Sequence, residues 1–341
     1  MAEALFPVFS FKFASMIHRR RVFDIKTIKD FNDTALEIFH YQAQNTPVYR
    51  DYIQALGVPI DQISDYRQIP FLPIQFFKTQ EVVTSGRKTE ITFSSSGTTG
   101  MTNSKHLVLD VNWYIDSFRK AFKLFYGDIQ DIAIIALLPS YLEREGSSLI
   151  YMVDDLIQNS KQPESNYFLY NHQELFNTLL LLQQKGTKTI LIGVTYALLD
   201  FIENYRIDFP ELIVMETGGM KGKRKEMVRQ ELHQQLAKGF GVTKIHSEYG
   251  MTELLSQGYS YGDGIFQTPP WMKILIRDTN DPLTLLTDRR TGAINVIDLA
   301  NYYSCSFIAT QDLGKLHPDQ SFEILGRFDN ADIRGCNLLV Q

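Results

Sequence analysis

Short apolar runs alternate with amphipathic segments through the middle of the chain. The runs are continuous, as in strands buried on both faces of a sheet, and occupy residues 131–138, 189–192 and 212–215. The intervening segments repeat apolar residues every three or four positions, which predicts helices over 112–126, 147–157, 174–184, 196–205 and 224–238. This alternation predicts an α/β fold with a mostly parallel, helix-flanked sheet. Ligands of such sheets bind beyond the carboxyl ends of the strands.

The pattern changes on either side of this central region. Residues 27–44 have helical periodicity and precede an irregular, aromatic-rich stretch, so we expect the N-terminal segment to pack on the main body. Later strands follow one another without helices between them, at 271–277, 293–297, 306–310 and 322–325. The chain is therefore divided into an N-terminal helical and irregular segment (1–85), an α/β core (86–261), a smaller β-rich subdomain (262–325) and a C-terminal tail (326–341).

Composition narrows the class of protein. Of the 341 residues, 44% are hydrophobic and 21% charged, which is ordinary for a globular chain with a sizeable core. The 34 basic and 39 acidic residues give a net charge of -5, whereas a protein that grips a polyanion along its length is usually basic. No apolar run approaches the roughly 20 residues that span a bilayer. We expect neither a nucleic-acid partner nor a membrane span.

The two cysteines cannot form a disulfide framework, which predicts a reducing, cytoplasmic location. Cys305 lies in an apparent strand and is interpreted as structural. Cys336 follows Gly335 close to the end of the sequence, with Arg334 beside it. A nearby cation lowers the pKa of a thiol, so Cys336 could act as a nucleophile. The alternative is that Cys336 is a small apolar filler.

A run of small and hydroxyl-bearing residues follows the strand predicted at 91–93. Its sequence is SSSGTTG, at positions 94–100. Glycines let backbone N–H groups approach an anion, and hydroxyls add hydrogen-bond donors, so the run suits a phosphate. It differs from the GxxxxGK[ST] pattern of a P-loop, and a plain turn is the alternative. We favour phosphate binding because seven such residues stand together after a strand.

This loop resembles the phosphate loop of the adenylate-forming superfamily, which includes acyl-CoA ligases and luciferases. Three further motifs follow in the order of that superfamily. YGMTE at 249–253 resembles its YGxTE motif, TQDLG at 310–314 its TxDxG motif, and GRFD at 326–329 its GRxD hinge motif. Four matches in the same order argue against chance. The resemblance implies the fold of the large N-terminal domain of that superfamily.

The resemblance also implies a reaction in which ATP activates a carboxylic acid, giving an acyl-adenylate and pyrophosphate. Tyr249 would then stack on adenine, and Asp312 would accept both ribose hydroxyls. The resemblance assigns the β- and γ-phosphates to the loop residues Ser95, Ser96, Gly97, Thr98, Thr99 and Gly100. The other nucleotide-binding residues that it implies are Gly218, Gly219, Gly250 and Met251.

Three charged or hydroxyl side chains carry the catalytic roles that the resemblance implies. Thr252 would bond the α-phosphate, and Arg327 would meet the ribose or the α-phosphate. Glu253 would hold Mg²⁺, for which carboxylate oxygen is a suitable ligand. Negative charge on the phosphorus oxygens during the reaction explains the need for donors and a metal ion.

Two residues are candidates for the pocket of the acid. Tyr196 lies in the stretch 193–198, which resembles the segment bordering the acyl pocket in the aryl-CoA ligase branch. His246 stands shortly before the YGMTE motif. It could line the carboxylate site, or it could be a strand-end histidine bonded to backbone, and both interpretations stay open.

The sequence departs from the superfamily after its hinge motif. It stops twelve residues after Asp329, whereas typical members continue with a lid domain that carries a catalytic Lys, so no such Lys is carried over. This ending resembles the acyl-protein synthetase of the bacterial bioluminescence fatty-acid reductase complex. That subfamily activates a fatty acid with ATP and takes the acyl group onto a Cys near its C-terminus. The resemblance therefore implies Cys336 as the acyl acceptor, and an acyl reductase or a carrier protein as the partner.

Two other functions stay open. The acyl-adenylate could be passed to coenzyme A or a carrier protein, as in the aryl-CoA ligase branch. Alternatively, the absent lid Lys could leave a nucleotide-binding module without catalysis of its own. The presence of Thr252, Glu253, Asp312 and Arg327 argues against the second alternative.

Overall fold

A computed structural model describes residues 17–95, 102–139, 146–218, 224, 227–286 and 290–327. Within these ranges the helices are α1 (Arg19–Phe23), α2 (Ile28–Asn45), α3 (Pro47–Ala55), α4 (Phe76–Thr79), α5 (Asn112–Tyr126), α6 (Ser148–Asn159), α7 (His172–Lys185), α8 (Thr195–Asn204) and α9 (Arg229–Phe240). Short 3₁₀ turns lie at Ile60–Gln62, Tyr66–Gln68 and Ile129–Asp131. The strands are β1 (Leu72–Pro73), β2 (Ile91–Ser94), β3 (Lys105–Val108), β4 (Ala133–Leu137), β5 (Asn166–Tyr167), β6 (Thr189–Val194), β7 (Ile213–Thr217), β8 (His246–Tyr249), β9 (Gly258–Ser260), β10 (Ile265–Gln267), β11 (Met272–Arg277), β12 (Thr291–Asp298), β13 (Phe307–Leu316) and β14 (Phe322–Arg327).

Most of the strands join one mixed sheet. Its order is β11-β12-β13-β14-β10-β9-β8-β7-β6-β4-β5, and β1 pairs with β13 outside this path. Along this order, the pairs that join β5, β4, β6, β7 and β8 are parallel. The pairs that join β8, β9, β10, β14, β13, β12 and β11 are antiparallel. The strands predicted to form a β-rich region therefore continue the parallel sheet. A separate antiparallel pair, β2 and β3, carries the start of the Ser/Gly/Thr loop.

Helices cover both faces of the parallel strands. On the α5 face, the Tyr126 hydroxyl lies 3.3 Å from Nδ1 of His246 on β8. On the opposite face, His233 of α9 lies 3.6 Å from the carboxylate of Glu216 on β7. Strands β4 and β6 are buried along their whole length between these layers. Apart from one threonine, their residues are apolar or glycine, as expected for strands covered on both faces.

The helix α2 docks on the turn that precedes β13 through a buried amide. The Gln42 side chain donates to the carbonyls of Asn301 and Tyr302 at 3.0 and 2.9 Å, and it accepts from the Ser306 N–H at 3.0 Å. Tyr49 of α3 stacks on Phe307 nearby, with ring centroids 6.2 Å apart. Side chains of the N-terminal segment therefore satisfy backbone groups of the turn that leads into β13.

Predicted and observed limits differ for several elements. The strand predicted at 306–310 continues to Leu316, and the strand predicted at 322–325 continues to Arg327. Their apolar alternation ends early, but the backbone pairing between β13 and β14 continues through polar positions. The helix predicted at 224–238 begins only at Arg229, because Val228 has an extended backbone. Among the described helices, none has the length and apolar character needed to cross a bilayer.

We expect Gln42→Ala to lower the free energy of unfolding by about 2–3 kcal/mol, because it leaves the buried backbone groups around residues 301–306 without partners. Urea unfolding followed by circular dichroism measures this change. Gln54→Ala, at an exposed position of α3, is the matched control and should alter stability by less than about 0.5 kcal/mol. Equal stability of the two variants would contradict the docking role of Gln42.

Candidate active site

Three motif side chains meet where β13 and β14 pair. Asp312 of β13 lies opposite Arg327 of β14, and Arg327 Nε is 3.6 Å from Asp312 Oδ1. The other carboxylate oxygen, Oδ2, accepts a hydrogen bond of 2.8 Å from the hydroxyl of Tyr249, the last residue of β8. The second, third and fourth motifs therefore share one site.

Asp312 is held in place by its surroundings, whereas its neighbour Arg327 is exposed to solvent. Burial raises the pKa of Asp312, and the Tyr249 hydroxyl and the Arg327 guanidinium oppose that rise. The Tyr249 ring packs against Phe266 and Phe322, with centroids 6.1 and 5.6 Å away. The Arg327 side chain is 60% exposed, so its ion pair with Asp312 is weak and its guanidinium is accessible to an anion.

The base of the Ser/Gly/Thr loop lies beside Glu253. Ser95 N–H donates to the Ser104 carbonyl at 3.1 Å, and Ser104 N–H donates to Ser95 Oγ at 2.9 Å. The Ser104 side chain lies close enough to the carboxylate of Glu253 to act on its pKa, in the direction that lowers it. Ser94, the last residue of β2, donates its N–H to the Gly146 carbonyl at 2.8 Å. The first motif is therefore adjacent to the second.

Glu253 is a buried carboxyl with cationic neighbours. Burial raises its pKa, whereas the Ser104 side chain and the charges of Arg327 and Lys78 favour the ionised form. Because Arg327 acts on both Glu253 and Asp312, it connects the two halves of the site.

Two buried side chains hold the backbone of the YGMTE motif. His106 Nδ1 lies 2.9 Å from the Thr252 carbonyl, and Asn301 Nδ2 donates to the Glu253 carbonyl at 2.8 Å. His106 Nε2 and Asn301 Oδ1 are 2.9 Å apart, so the two side chains also touch each other. Burial lowers the pKa of His106 to about 4, and the hydrogen bonds to the Thr252 carbonyl and to Asn301 oppose that shift.

Asp298 fixes the chain immediately after the motif. Its Oδ2 accepts from the N–H groups of Leu255 and Ser256 at 2.7 and 2.9 Å, and its Oδ1 accepts from the Ser256 hydroxyl at 2.6 Å. Burial raises the pKa of Asp298 to about 6, against the effect of these hydrogen bonds. Leu255 and Ser256 are therefore held by the last residue of β12.

The candidate pocket residues lie at opposite ends of the parallel strands, since Tyr196 follows the carboxyl end of β6 and His246 is the first residue of β8. Tyr196 is the second residue of α8, which directly follows β6, and it is buried. His246 contacts the rings of Tyr126 and Tyr261, and its Nδ1 pairs with the Tyr126 hydroxyl rather than with backbone. Burial lowers the pKa of His246 to about 4. The roles of Tyr196 and His246 toward a substrate stay predictions.

The remaining predicted residues are placed only in part. Gly218 follows β7 with φ +76°, Gly250 follows β8, and the Met251 side chain packs on the core. Seven predicted site residues lie outside the described residues: Ser96, Gly97, Thr98, Thr99, Gly100, Gly219 and Cys336.

Several residues of the site were not found from the sequence. His106 and Asn301 are 195 positions apart, and neither belongs to a recognised motif, so no spacing connects them. Ser104 and Lys78 likewise gave no signal, because their relation to Glu253 arises only from folding. Glu248 had a weak signal as an acid placed directly before the motif.

Cys305 has the properties of a structural thiol. It is fully buried, its Sγ donates to the Phe307 carbonyl at 3.3 Å, and burial raises its pKa to about 12. A nucleophilic role is therefore excluded for Cys305 at neutral pH, in agreement with its interpretation from sequence.

Two carboxyls on adjacent strands have opposite titration behaviour. Burial raises the pKa of Glu248 to about 7, although the Thr217 hydroxyl donates to its Oε2 at 2.7 Å. Burial also acts on Glu216, but His233 and the Ser247 hydroxyl outweigh it and lower the pKa. Glu248 is therefore the carboxyl here that can be neutral near physiological pH.

A comparison with protein families decides the assignment. The family described as "Acyl-protein synthetase, LuxE" matches residues 24–341. The chain belongs to this family. Family membership agrees with the four motifs on which the sequence-based resemblance depended. A comparison with curated protein sequences gave no significant match.

Solved structures of adenylate-forming enzymes share the fold. ATP-bound MatB from Rhodopseudomonas palustris is 18% identical with a TM-score of 0.52, covering 72% of this chain and 50% of that chain. An open 2-hydroxyisobutyryl-CoA ligase with 2-HIB-AMP and CoA is 12% identical with a TM-score of 0.65, covering 96% and 80%. A luciferase-like enzyme from the mealworm Zophobas morio is 14% identical with a TM-score of 0.50, covering 72% and 60%. The chain thus spans half the length of MatB, and the predicted fold class is confirmed.

The pKa of Glu248 predicts a pH-dependent effect of Glu248→Gln. The raised pKa stabilises the fold below about pH 4.5, and this contribution is lost as the pH rises through 7, where the buried carboxyl ionises. We expect Glu248→Gln to change stability little at pH 5 and to be more stable than the parent by roughly 1–2 kcal/mol at pH 8.

Urea midpoints at the two pH values measure this difference. Glu211→Gln, at an exposed position, is the control for loss of a carboxylate. A stability difference between Glu248→Gln and the parent that does not vary with pH would contradict the shifted pKa.

Proposed function

We propose that this family member uses ATP to convert a carboxylic acid of the fatty-acid class into an acyl-adenylate and then transfers the acyl group to Cys336. The protein thioester would be delivered to a partner such as an acyl reductase or a carrier protein. The observation that carries the proposal is the convergence of Tyr249, Asp312 and Arg327 beside Glu253.

The geometry supports nucleotide binding at the end of β8. Asp312 is held by Tyr249 through one oxygen, and its second oxygen remains directed toward the weakly paired Arg327. A carboxylate of this kind suits the two hydroxyls of a ribose, and an exposed guanidinium suits the adjacent phosphate. The hydroxyl and N–H groups that the loop carries after Ser95 would then face the terminal phosphates.

Glu253 fits a magnesium ion that arrives with ATP. Mg²⁺ in such enzymes is commonly bound by one or two carboxylates together with substrate phosphates, rather than by a complete cage of protein ligands. The described residues contain no group of three or more metal-ligating side chains, which agrees with a single protein carboxylate. The ion would neutralise charge on the phosphates, while Ser104 and the Asn301 hydrogen bond keep Glu253 in position.

Of the two cysteines, Cys336 is the one that we propose as the acyl-accepting thiol. The other cysteine, Cys305, is buried with a pKa of about 12. In the transfer step, the Cys336 sulfur attacks the acyl carbonyl, the new C–S bond replaces the C–O bond to phosphate, AMP leaves, and the thiol proton passes to solvent. The thiol must stay reduced to do this, so we propose a cytoplasmic site of action.

Cys336→Ser separates the two half-reactions. We expect the variant to retain acid-dependent ATP–pyrophosphate exchange, because adenylation does not use the thiol. It should lose the hydroxylamine-labile label that radioactive fatty acid leaves on the parent protein in the presence of ATP and Mg²⁺.

Cys305→Ser is the matched control and should still be labelled. Normal labelling of Cys336→Ser would contradict the thioester role. Formation of acyl-CoA by an unimpaired Cys336→Ser would favour coenzyme A as the acceptor. Absence of pyrophosphate exchange with every acid tested would favour a binding module without catalysis.

A further inference from the structure

A polar cluster lies on the α5 face of the sheet, next to the proposed nucleotide site. Strands β8 and β9 are antiparallel with Glu248 opposite Tyr259. Alternate residues of a strand share a face, so Glu248 and Gly250 lie beside Tyr259 and Gln257. Neighbouring residues point to opposite faces, and Glu248 is therefore directed away from the face that Tyr249 occupies.

Gly250 makes room for this cluster. A Cβ at Gly250 would clash with Oε1 of Glu248 and would approach Cγ of Gln257 to 3.4 Å. The Glu248 carboxyl and the Gln257 side chain thus lie on either side of a position that lacks a side chain.

The hydrogen-bonding capacity of the cluster is incompletely used. Glu248 Oε2 accepts from the Thr217 hydroxyl at 2.7 Å. Tyr259 is 1% exposed and Gln257 4% exposed, and neither Tyr259 Oη nor Gln257 Oε1 has a hydrogen-bond partner among the described residues. A buried polar atom without a hydrogen-bond partner destabilises the fold, so these two atoms call for a compensating role.

Neighbouring phenols do not share this property. The Tyr114 hydroxyl donates to the Ser148 carbonyl at 2.9 Å, and the Tyr126 hydroxyl pairs with His246 at 3.3 Å. Among the described residues, two further buried atoms lack a hydrogen-bond partner, His233 Nε2 and Asn295 Nδ2, but Gln257 Oε1 and Tyr259 Oη are the two that lie beside Glu248.

The position of the cluster points to a ligand. Thr217 ends β7 and Glu248 nearly ends β8, so the cluster lies at the carboxyl ends of two parallel strands, where ligands of such sheets bind. A plain alkyl chain in this place would leave Gln257 Oε1 and Tyr259 Oη unpaired. A hydroxyl group can donate to Glu248 or Gln257 and accept from Tyr259, and an amino group can donate to all three.

We propose that Glu248, Gln257 and Tyr259 form a polar subsite for a hydroxyl or amino group on the acid, which gives a substituted acid preference over its unsubstituted counterpart. The inference rests on the proposed adenylation of an acid at this site. Burial that holds the pKa of Glu248 near 7 is compatible with either partner, because a substrate ammonium would restore the ionised form and a hydroxyl can pair with both forms.

Acid-dependent ATP–pyrophosphate exchange tests the proposal. The probes are straight-chain acids of matched length, either unsubstituted or carrying a hydroxyl or an amino group at the 2-, 3- or terminal position. The parent protein should use at least one substituted acid with a kcat/KM about tenfold or more above that of the unsubstituted acid. Tyr259→Phe should reduce this ratio about tenfold, and it should not lower the melting temperature because the lost hydroxyl has no protein partner.

Tyr261→Phe is the matched control, because the Tyr261 hydroxyl bonds to the Phe125 carbonyl instead, and it should keep the ratio of the parent. Glu248→Gln separates the two ligands, since it should abolish a preference for an amino acid but only weaken a preference for a hydroxy acid. Equal or better use of the unsubstituted acid, or an unchanged ratio in Tyr259→Phe, would overturn the subsite alone. Absence of exchange with every acid would overturn the proposed function and the subsite with it.

Discussion

The backbone of Thr252 and Glu253 is held by buried side chains from two distant parts of the chain. His106 on β3 bonds the Thr252 carbonyl, and Asn301, in the turn before β13, bonds the Glu253 carbonyl. Both contacts are shielded from water, where an unmet hydrogen bond is costly. Ser104 directly precedes β3. The contact between His106 of β3 and Thr252 therefore also keeps the base of the Ser/Gly/Thr loop near the Glu253 carboxylate. The rest of the proposed site depends on that peptide being fixed.

The mixed sheet supplies the second half of the arrangement. Its antiparallel part returns β13 and β14 next to the carboxyl end of β8, so that Asp312 and Arg327 meet Tyr249. A sheet that ended at β8 would leave the nucleotide side of the site without its carboxylate. The change from parallel to antiparallel pairing at β8 is therefore also the place where the proposed site is assembled.

Sequence patterns predicted the features that are encoded in short, continuous stretches of the chain. Apolar runs identified β4, β6 and β7, and the motifs identified Tyr249, Glu253, Asp312 and Arg327. The pattern could not show that Asp312 and Arg327 lie in paired strands, because polar residues interrupt the apolar alternation there. Nor could it reveal His106 and Asn301, whose contact joins positions 195 residues apart. The pairing of Glu248 with Tyr259 likewise depends on strand register, which a single sequence does not specify.

The role of the buried hydrogen bonds behind Glu253 is tested most directly by Asn301→Ala in acid-dependent ATP–pyrophosphate exchange. The measurement is made at a temperature where circular dichroism shows the variant to be folded, with the exposed Asn280→Ala as control. We predict that kcat falls at least about tenfold in Asn301→Ala, because the Glu253 carboxylate loses its fixed position, and that Asn280→Ala keeps the rate of the parent. A folded Asn301→Ala protein with the exchange rate of the parent would contradict the account.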